Sequence, residues 1–198
     1  MESWQATSDR LRLLLSTSSY KPFLGTNMSH PEFVDQYGTE VMANPVGVSP
    51  ALLTADGYLL FGIRNTSVAY YPGRIHPFAG CMEPGDTDVF TAVARELHEE
   101  LSLAQPDLAD IRCTGIAEDT SLRQPELIFA AESLLNRAQI ESRLEQTEHG
   151  AAWSIPANAS TIAAAVVEEK QLTPVAIAAM LLWGRLRFGE AWFAERIA

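Results

Sequence analysis

The sequence predicts an α/β fold in which a mixed sheet is flanked by helices on both faces. Three observations point there. Two largely apolar runs, 46–54 and 58–63, lie on either side of Asp56-Gly57. A segment of helical periodicity follows at 88–101, and two further helical stretches come late, at 158–169 and 173–186. A hairpin, a helix, further strands and then helices pack most naturally as an α/β/α sandwich.

Taken in order, residues 3–15 predict a short helix, weighted by Leu11, Leu13, Leu14 and Leu15. Residues 16–44 read as irregular, with Gly25-Thr26-Asn27 and His30-Pro31 as breakers. Asp-Gly between apolar runs is a hairpin signal, so 46–54 and 58–63 pair through Asp56-Gly57. Pro72-Gly73 marks a turn, and 75–79 forms a short strand. On 88–101, Phe90, Val93, Ala94, Leu97 and Leu101 fall on one stripe at helical spacing. Residues 111–116 and 127–131 read as strands, 132–147 as helix, and 152–155 as a last strand ended by Pro156. Pro174 suits the first turn of the final helix.

A chain of 198 residues, 47% of them hydrophobic, can bury one sizeable core, and no linker divides it. Residues 1–44 read as an N-terminal extension and 45–198 as the domain. The net charge of -11 repels nucleic acid polymers and anionic membranes. A small anionic substrate stays possible where divalent cations invert the local field. Cys81 and Cys113 are too few for a disulfide framework and read as free thiols. The opening Met1-Glu2-Ser3-Trp4 lacks the features of a signal peptide, and the apolar run 175–183 is too short to span a bilayer. Cytoplasmic location is the expectation.

The chemistry concentrates in two stretches, Gly80-Cys81-Met82-Glu83-Pro84-Gly85-Asp86 and Arg95-Glu96-Leu97-His98-Glu99-Glu100-Leu101. Residues three and four apart are neighbours on a helix, so Glu99 and Glu100 both stack beside Glu96. Three adjacent anions repel one another, and a hard divalent cation offsets that repulsion. Arg95 stands one turn before Glu99 and can orient it. A solvated acidic helix face is the plainer alternative, and it suffices for Glu99-Glu100 taken alone.

The segment from Gly80 to Leu103 resembles the box of the Nudix hydrolase family, G-x5-E-x7-R-E-U-x-E-E-x-G-U with U aliphatic. Gly80, Arg95, Glu96, Leu97, Glu99, Glu100 and Leu103 match. Asp86 replaces the first Glu, eight residues rather than seven separate it from Arg95, and Ser102 replaces the second Gly. The resemblance extends over 45–187, through the opening hairpin, Tyr71-Pro72-Gly73, the Glu83-Pro84-Gly85-Asp86 turn, and Trp153 with Pro156. It implies a Nudix-type α/β/α sandwich and a metal-dependent pyrophosphohydrolase. It implies Mg²⁺ or Mn²⁺ held by Glu96, Glu99 and Glu100, with a carbonyl near Ala79-Gly80 and Asp86 as accessory oxygens. Arg95 would orient the glutamates.

In such a family the base is a box glutamate or an outside carboxylate. Among Glu118, Asp119, Glu145 and Glu148, the last is preferred because Glu148-His149-Gly150 precedes the strand carrying Trp153. His98 lies beside the acidic face, and Tyr70, Tyr71, His76 and Trp153 are candidates to stack on a base, while Phe78 is expected in the core. Phe23-Leu24-Gly25-Thr26-Asn27, Asn44-Pro45-Val46-Gly47 and Pro125-Glu126-Leu127-Ile128-Phe129 resemble a branch that cleaves UDP-sugars. The expected substrate is therefore a nucleoside diphosphate derivative, a UDP-sugar first, with ADP-ribose or a dinucleotide as alternatives. A catalytically silent nucleotide-binding regulator is a further reading. No nucleic acid polymer and no membrane partner is expected, and a homodimer is common among such relatives.

Overall fold

In the computed structural model, which describes residues 1–7 and 10–198, the chain begins with strands β1 (Ser3–Ala6) and β2 (Leu11–Leu14). They pair antiparallel, Trp4 opposite Leu13 and Ala6 opposite Leu11. The helix expected over 3–15 is thus a two-stranded ribbon, and the part of that expectation on residues 8 and 9 lies outside the described residues. Of its leucines, Leu13 alone is half-buried against the core, while Leu11, Leu14 and Leu15 are exposed. A helix needs a continuous apolar stripe to anchor it, and this segment has none.

The stretch read as irregular holds short helical turns: α1 (Tyr20–Phe23), a π turn at Leu24–Met28, α2 (Phe33–Tyr37) and a 3₁₀ turn at Thr39–Val41. Beyond it lie β3 (Gly47–Leu53), β4 (Tyr58–Arg64), β5 (Ile75–His76), β6 (Gly80–Cys81), α3 (Val89–Leu101), β7 (Leu108–Asp119) and β8 (Gln124–Ser133). The chain ends with α4 (Arg137–Glu141), β9 (His149–Pro156), α5 (Ala159–Glu168), α6 (Pro174–Phe188) and α7 (Glu190–Ile197).

The seven-stranded sheet runs β5-β4-β3-β8-β7, with β6 on β3 and β9 on β4. β3 and β8 are parallel over seven residue pairs, and the other pairings between strands are antiparallel, so the sheet is mixed as expected. The Asp56-Gly57 hairpin is real but short. Only Leu52–Leu60 and Leu53–Leu59 pair before the strands diverge to other partners.

Strand alternation builds two cores. Leu52, Leu60, Leu127 and Phe129 point to one face, packed on α3 and α4 through Val93, Leu97, Leu101 and Ile140. Ala51, Leu59, Phe61, Ile128 and Ala130 point to the other, under α5, α6 and α7. Two expectations change. The helix read over 132–147 shrinks to α4, because β8 runs on to Ser133 and Asn136 caps the new helix, accepting from Gln139 N–H. Phe90 leaves the buried stripe of α3 and is 44% exposed, its ring edge against Phe129, while Ala92, Glu96 and Glu100 are buried instead.

Both ends of α3 explain departures from the box pattern. The additional residue falls before the helix, where Asp88 caps it by accepting from the Phe90 and Thr91 N–H groups. At the exit, Ser102 sits in the left-handed region at φ 50 and ψ 32, the conformation for which glycine is suited. Ser102→Gly is therefore expected to stabilise the fold by about 1 kcal/mol. That is a rise in Tm of roughly 2–4 °C. Thermal denaturation followed by circular dichroism checks it; an unchanged or lower Tm would contradict it.

Candidate active site

Helix α3 carries the glutamates on the sheet face nearest the Gly80 turn. One residue of helix is about 100°, so Glu100 lies about 40° from Glu96 and Glu99 about 60° to the other side. The outcome follows that geometry. Glu96 and Glu100 are buried, while the Glu99 side chain is 55% exposed. Arg95 gathers the cluster. Its Nη1 donates to Glu96 Oε1 at 2.7 Å and to Glu99 Oε2 at 3.2 Å. Its Nη2 donates to the Cys81 carbonyl at 2.9 Å. Nε and Nη2 also meet the two oxygens of Asp86, at 3.2 and 3.1 Å. Asp86 accepts from the Glu83 N–H as well, so its carboxylate faces the box turn and Arg95.

Gly80 has a steric reason. A Cβ there would lie 2.2 Å from Glu96 Oε1, so only a bare backbone lets that carboxylate approach. Burial pushes the Glu96 carboxyl up to about 7, against the pull of Arg95. Burial pushes Glu100 up to about 9, and the Glu148 charge adds to it. Glu100 Oε1 stands 3.4 Å from His149 Nδ1, and Glu100 Oε2 is buried with no hydrogen-bond partner. His149 is itself held well down, to about 4, by burial and by the Arg64 charge. Two buried carboxyls of this kind ionise only with positive charge close by. The oxygen donor set and the orphaned Oε2 fit a hard divalent cation. Among the described residues, no group of three or more His, Cys, Asp or Glu side chains stands positioned to hold a metal ion by itself.

A cavity of about 970 Å³ opens over this cluster. Gly80, Arg95, Glu96 and Glu99 line one side, with Arg64, Tyr70 and Glu148 beside them. The facing wall comes from the N-terminal segment, through Ser16 to Tyr20, Phe23 and Asn44. Glu148 thus reaches the cavity, and the other outside carboxylates do not line it. Glu118 pairs with Arg123 at 3.2 Å, Asp119 accepts from the Tyr71 hydroxyl at 2.8 Å, and the Glu145 backbone N–H bonds the Glu100 carbonyl. His98 is exposed at the end of α3, away from the cavity wall.

Of the aromatic candidates, Tyr70 lines the cavity. Tyr71 is tied to Asp119, His76 is buried against Thr173 at 2.9 Å, and Trp153 packs edge-on to Phe61. Phe78 is fully buried as expected. Cys81 and Cys113 are both free.

Three residues escaped the sequence reading. Tyr20 is 59% exposed on the cavity wall. Arg64 lies under Tyr70, its guanidinium 4.5 Å from the ring centroid. Glu126 is buried beneath Gly47, accepts from the Ser49 hydroxyl at 2.9 Å, and is pushed up to about 8 by burial. A charged residue directly at the end of an apolar strand run was the signal available for Arg64 and Glu126; Tyr20 had none.

No family model matches the chain. It is similar to the uridine diphosphate glucose pyrophosphatase NUDT22 of Bos taurus, 31% identical over 162 residues, covering 66% of this chain and 54% of that protein. The Homo sapiens protein of the same name is 30% identical over 158 residues, covering 66% of this chain and 52% of its own length. The chain thus spans about half the length of these relatives. Among solved structures, the MutT protein from Methanosarcina mazei Go1 superposes with a TM-score of 0.55 at 16% identity, covering 72% of this chain and 94% of that one. A mutT/nudix family protein from Listeria innocua gives 0.54 at 16%, covering 73% and 94%. Those two show the fold, which is that of MutT/nudix proteins, and the sequence relatives show likeness over about two thirds of this chain.

Proposed function

We propose that the chain is a divalent-metal-dependent hydrolase that splits the pyrophosphate bond of a nucleoside diphosphate derivative, with a UDP-sugar as the leading substrate. The observation that carries this reading is the buried carboxylate pair on α3: Glu96, set against Gly80 and lining the cavity, and Glu100, whose Oε2 is buried without a partner. The substrate class rests on the relatives named for uridine diphosphate glucose and on the cavity wall supplied by the N-terminal segment.

Glu96, Glu99, Glu100 and the Gly80 carbonyl would hold Mg²⁺ or Mn²⁺, which neutralises diphosphate charge and lowers the pKa of water. Arg95 keeps Glu96 and Glu99 pointed at that site, and Asp86 keeps Arg95 in place. Glu148, on the cavity wall, takes the proton from the attacking water. The water oxygen bonds to one phosphorus as the bridging P–O bond breaks, and the electron pair leaves on the other phosphate. Residues 45–198 form the catalytic unit in this reading, and 1–44 complete the substrate wall. The partner is a small molecule, with a homodimer as the assembly and the cytoplasm as the location. Among the described residues, no helix is long and apolar enough to cross a membrane.

The test is product analysis with UDP-glucose, ADP-ribose and a dinucleotide, with Mg²⁺ or Mn²⁺ and with a chelator. The expected result is UMP and glucose 1-phosphate from UDP-glucose, formed at least about tenfold faster than products of the other two and lost with the chelator. Tight binding of UDP-glucose without product under any ion identifies a silent regulator instead.

A further inference from the structure

Among the described residues, Arg64 is the one arginine lining the cavity that is left with unused hydrogen-bonding capacity. Two arginines line the cavity, Arg64 and Arg95. Arg95 is saturated by Asp86, Glu96, Glu99 and the Cys81 carbonyl. Arg64 is different. Its side chain is 2% exposed, yet the residue lines the cavity. Nε donates to the Tyr70 carbonyl at 3.1 Å, and the Tyr70 ring covers the guanidinium. Nη2 stands 3.7 Å from Glu148 Oε2, too far for a hydrogen bond, and the Glu148 side chain is 54% exposed. Nη1 is buried without a partner.

A guanidinium stays protonated in a protein and carries five donors. Burying that charge half-compensated is unfavourable unless an anion completes it. Apart from the saturated Arg95, the other charged side chains around the cavity are acidic: Glu83, Asp86, Glu96, Glu99 and Glu148. A diphosphate entering there needs a cationic contact from the chain itself, and a planar fork matches phosphate oxygens.

We propose that Arg64 is an anion-binding residue of this cavity, donating to a phosphate oxygen of the bound nucleoside diphosphate while its other arm holds Glu148 beside the same phosphate. The inference rests on the proposed function for its ligand, and it adds a residue and a task which that reading does not need. Arg64 touches substrate, and it also positions Glu148. The backbone on either side supports this placement. Arg64 N–H bonds the Arg74 carbonyl and the Gly73 N–H bonds the Arg64 carbonyl, so the loop carrying Tyr70 is closed on Arg64 itself.

The experiment compares wild type with Arg64→Met and Arg64→Lys. Affinities for UDP, for inorganic pyrophosphate and for uridine are measured by calorimetry, and kcat and KM for UDP-glucose are measured separately. Arg64→Met is expected to weaken UDP and pyrophosphate about tenfold to a hundredfold and to leave uridine unchanged. Arg64→Lys restores part of the pyrophosphate affinity but not kcat, since an ammonium cannot bridge Tyr70, Glu148 and phosphate together. Should Arg64→Met fail to fold, the wild type answers alone: the Arg64 guanidinium NMR signals shift on titration with pyrophosphate. Unmoved signals, or equal losses for UDP and uridine, overturn the proposal. Arg64-dependent pyrophosphate binding in a protein that turns over no substrate leaves this subsite standing and removes the hydrolase reading.

Discussion

Replacing Glu99 and Glu100 together by Gln is expected to lower metal-dependent turnover by at least about a thousandfold while the protein stays folded. Metal-assisted charge stabilisation is worth several kcal/mol, and each 1.36 kcal/mol is tenfold in rate. The fold survives because the substitutions keep side-chain shape. Glu100 Oε2 has no hydrogen-bond partner to lose, and Glu99 is more than half exposed. The measurement is UMP release from UDP-glucose across a Mg²⁺ titration, with circular dichroism as the fold control. Wild-type rates in a folded double variant would end the reading of α3 as the catalytic helix.

The second large effect belongs to Asn27, far from α3 in sequence. Asn27 is completely buried. Its Nδ2 donates to the Leu122 carbonyl at 2.9 Å and to the Arg123 carbonyl at 3.3 Å. Its Oδ1 accepts from the Asn44 N–H at 3.3 Å and from the Thr26 hydroxyl at 3.1 Å. One amide thus ties the N-terminal segment to the turn between β7 and β8 and to the entry of β3. Asn27→Ala leaves the buried Leu122 carbonyl and the half-buried Arg123 carbonyl and Asn44 N–H without this partner, a destabilisation of about 2–4 kcal/mol, since a fully buried unpaired group costs roughly 1–3 kcal/mol and a half-buried one less. The loss falls on the segment supplying Ser16 to Tyr20 and Asn44 to the cavity. The expected result is a KM for UDP-glucose raised at least about tenfold and faster proteolysis within 15–45. A KM equal to wild type would remove residues 1–44 from the substrate site.

Both predictions depend on residues that differ in how they could be read. Glu96, Glu99, Glu100, Arg95 and Gly80 stand within one turn and one helix, and their spacing is local. The i, i+3 and i, i+4 geometry of a helix brings them together whatever the rest of the chain does. Arg95 bears this out, reaching Glu99 at i+4 and Asp86 across the helix entry. The strands expected at 111–116 and 127–131 are present, though each proved longer. The error at 132–147 has the same root. Ser133 belongs to the sheet because its partner Leu108 pairs with it, a non-local fact. The helix expected at 3–15 failed likewise, since β1 and β2 pair with each other instead.

By itself, the sequence determined the α/β class, the mixed sheet, the glutamate helix and its Gly80 turn, because periodicity and close spacing act within a few residues. Tertiary structure alone decided which carboxylates are buried, how Asp86 and Arg95 lock together, and that Tyr20, Arg64 and Glu148 share one cavity. Those residues lie 44 and 84 positions apart along the chain. No local preference encodes such a meeting; it arises when β4 pairs with β9 and Asn27 draws the N-terminal segment over the sheet. The charge Arg64 carries into that cavity is visible in the sequence, and its unmet hydrogen bond exists only in the fold.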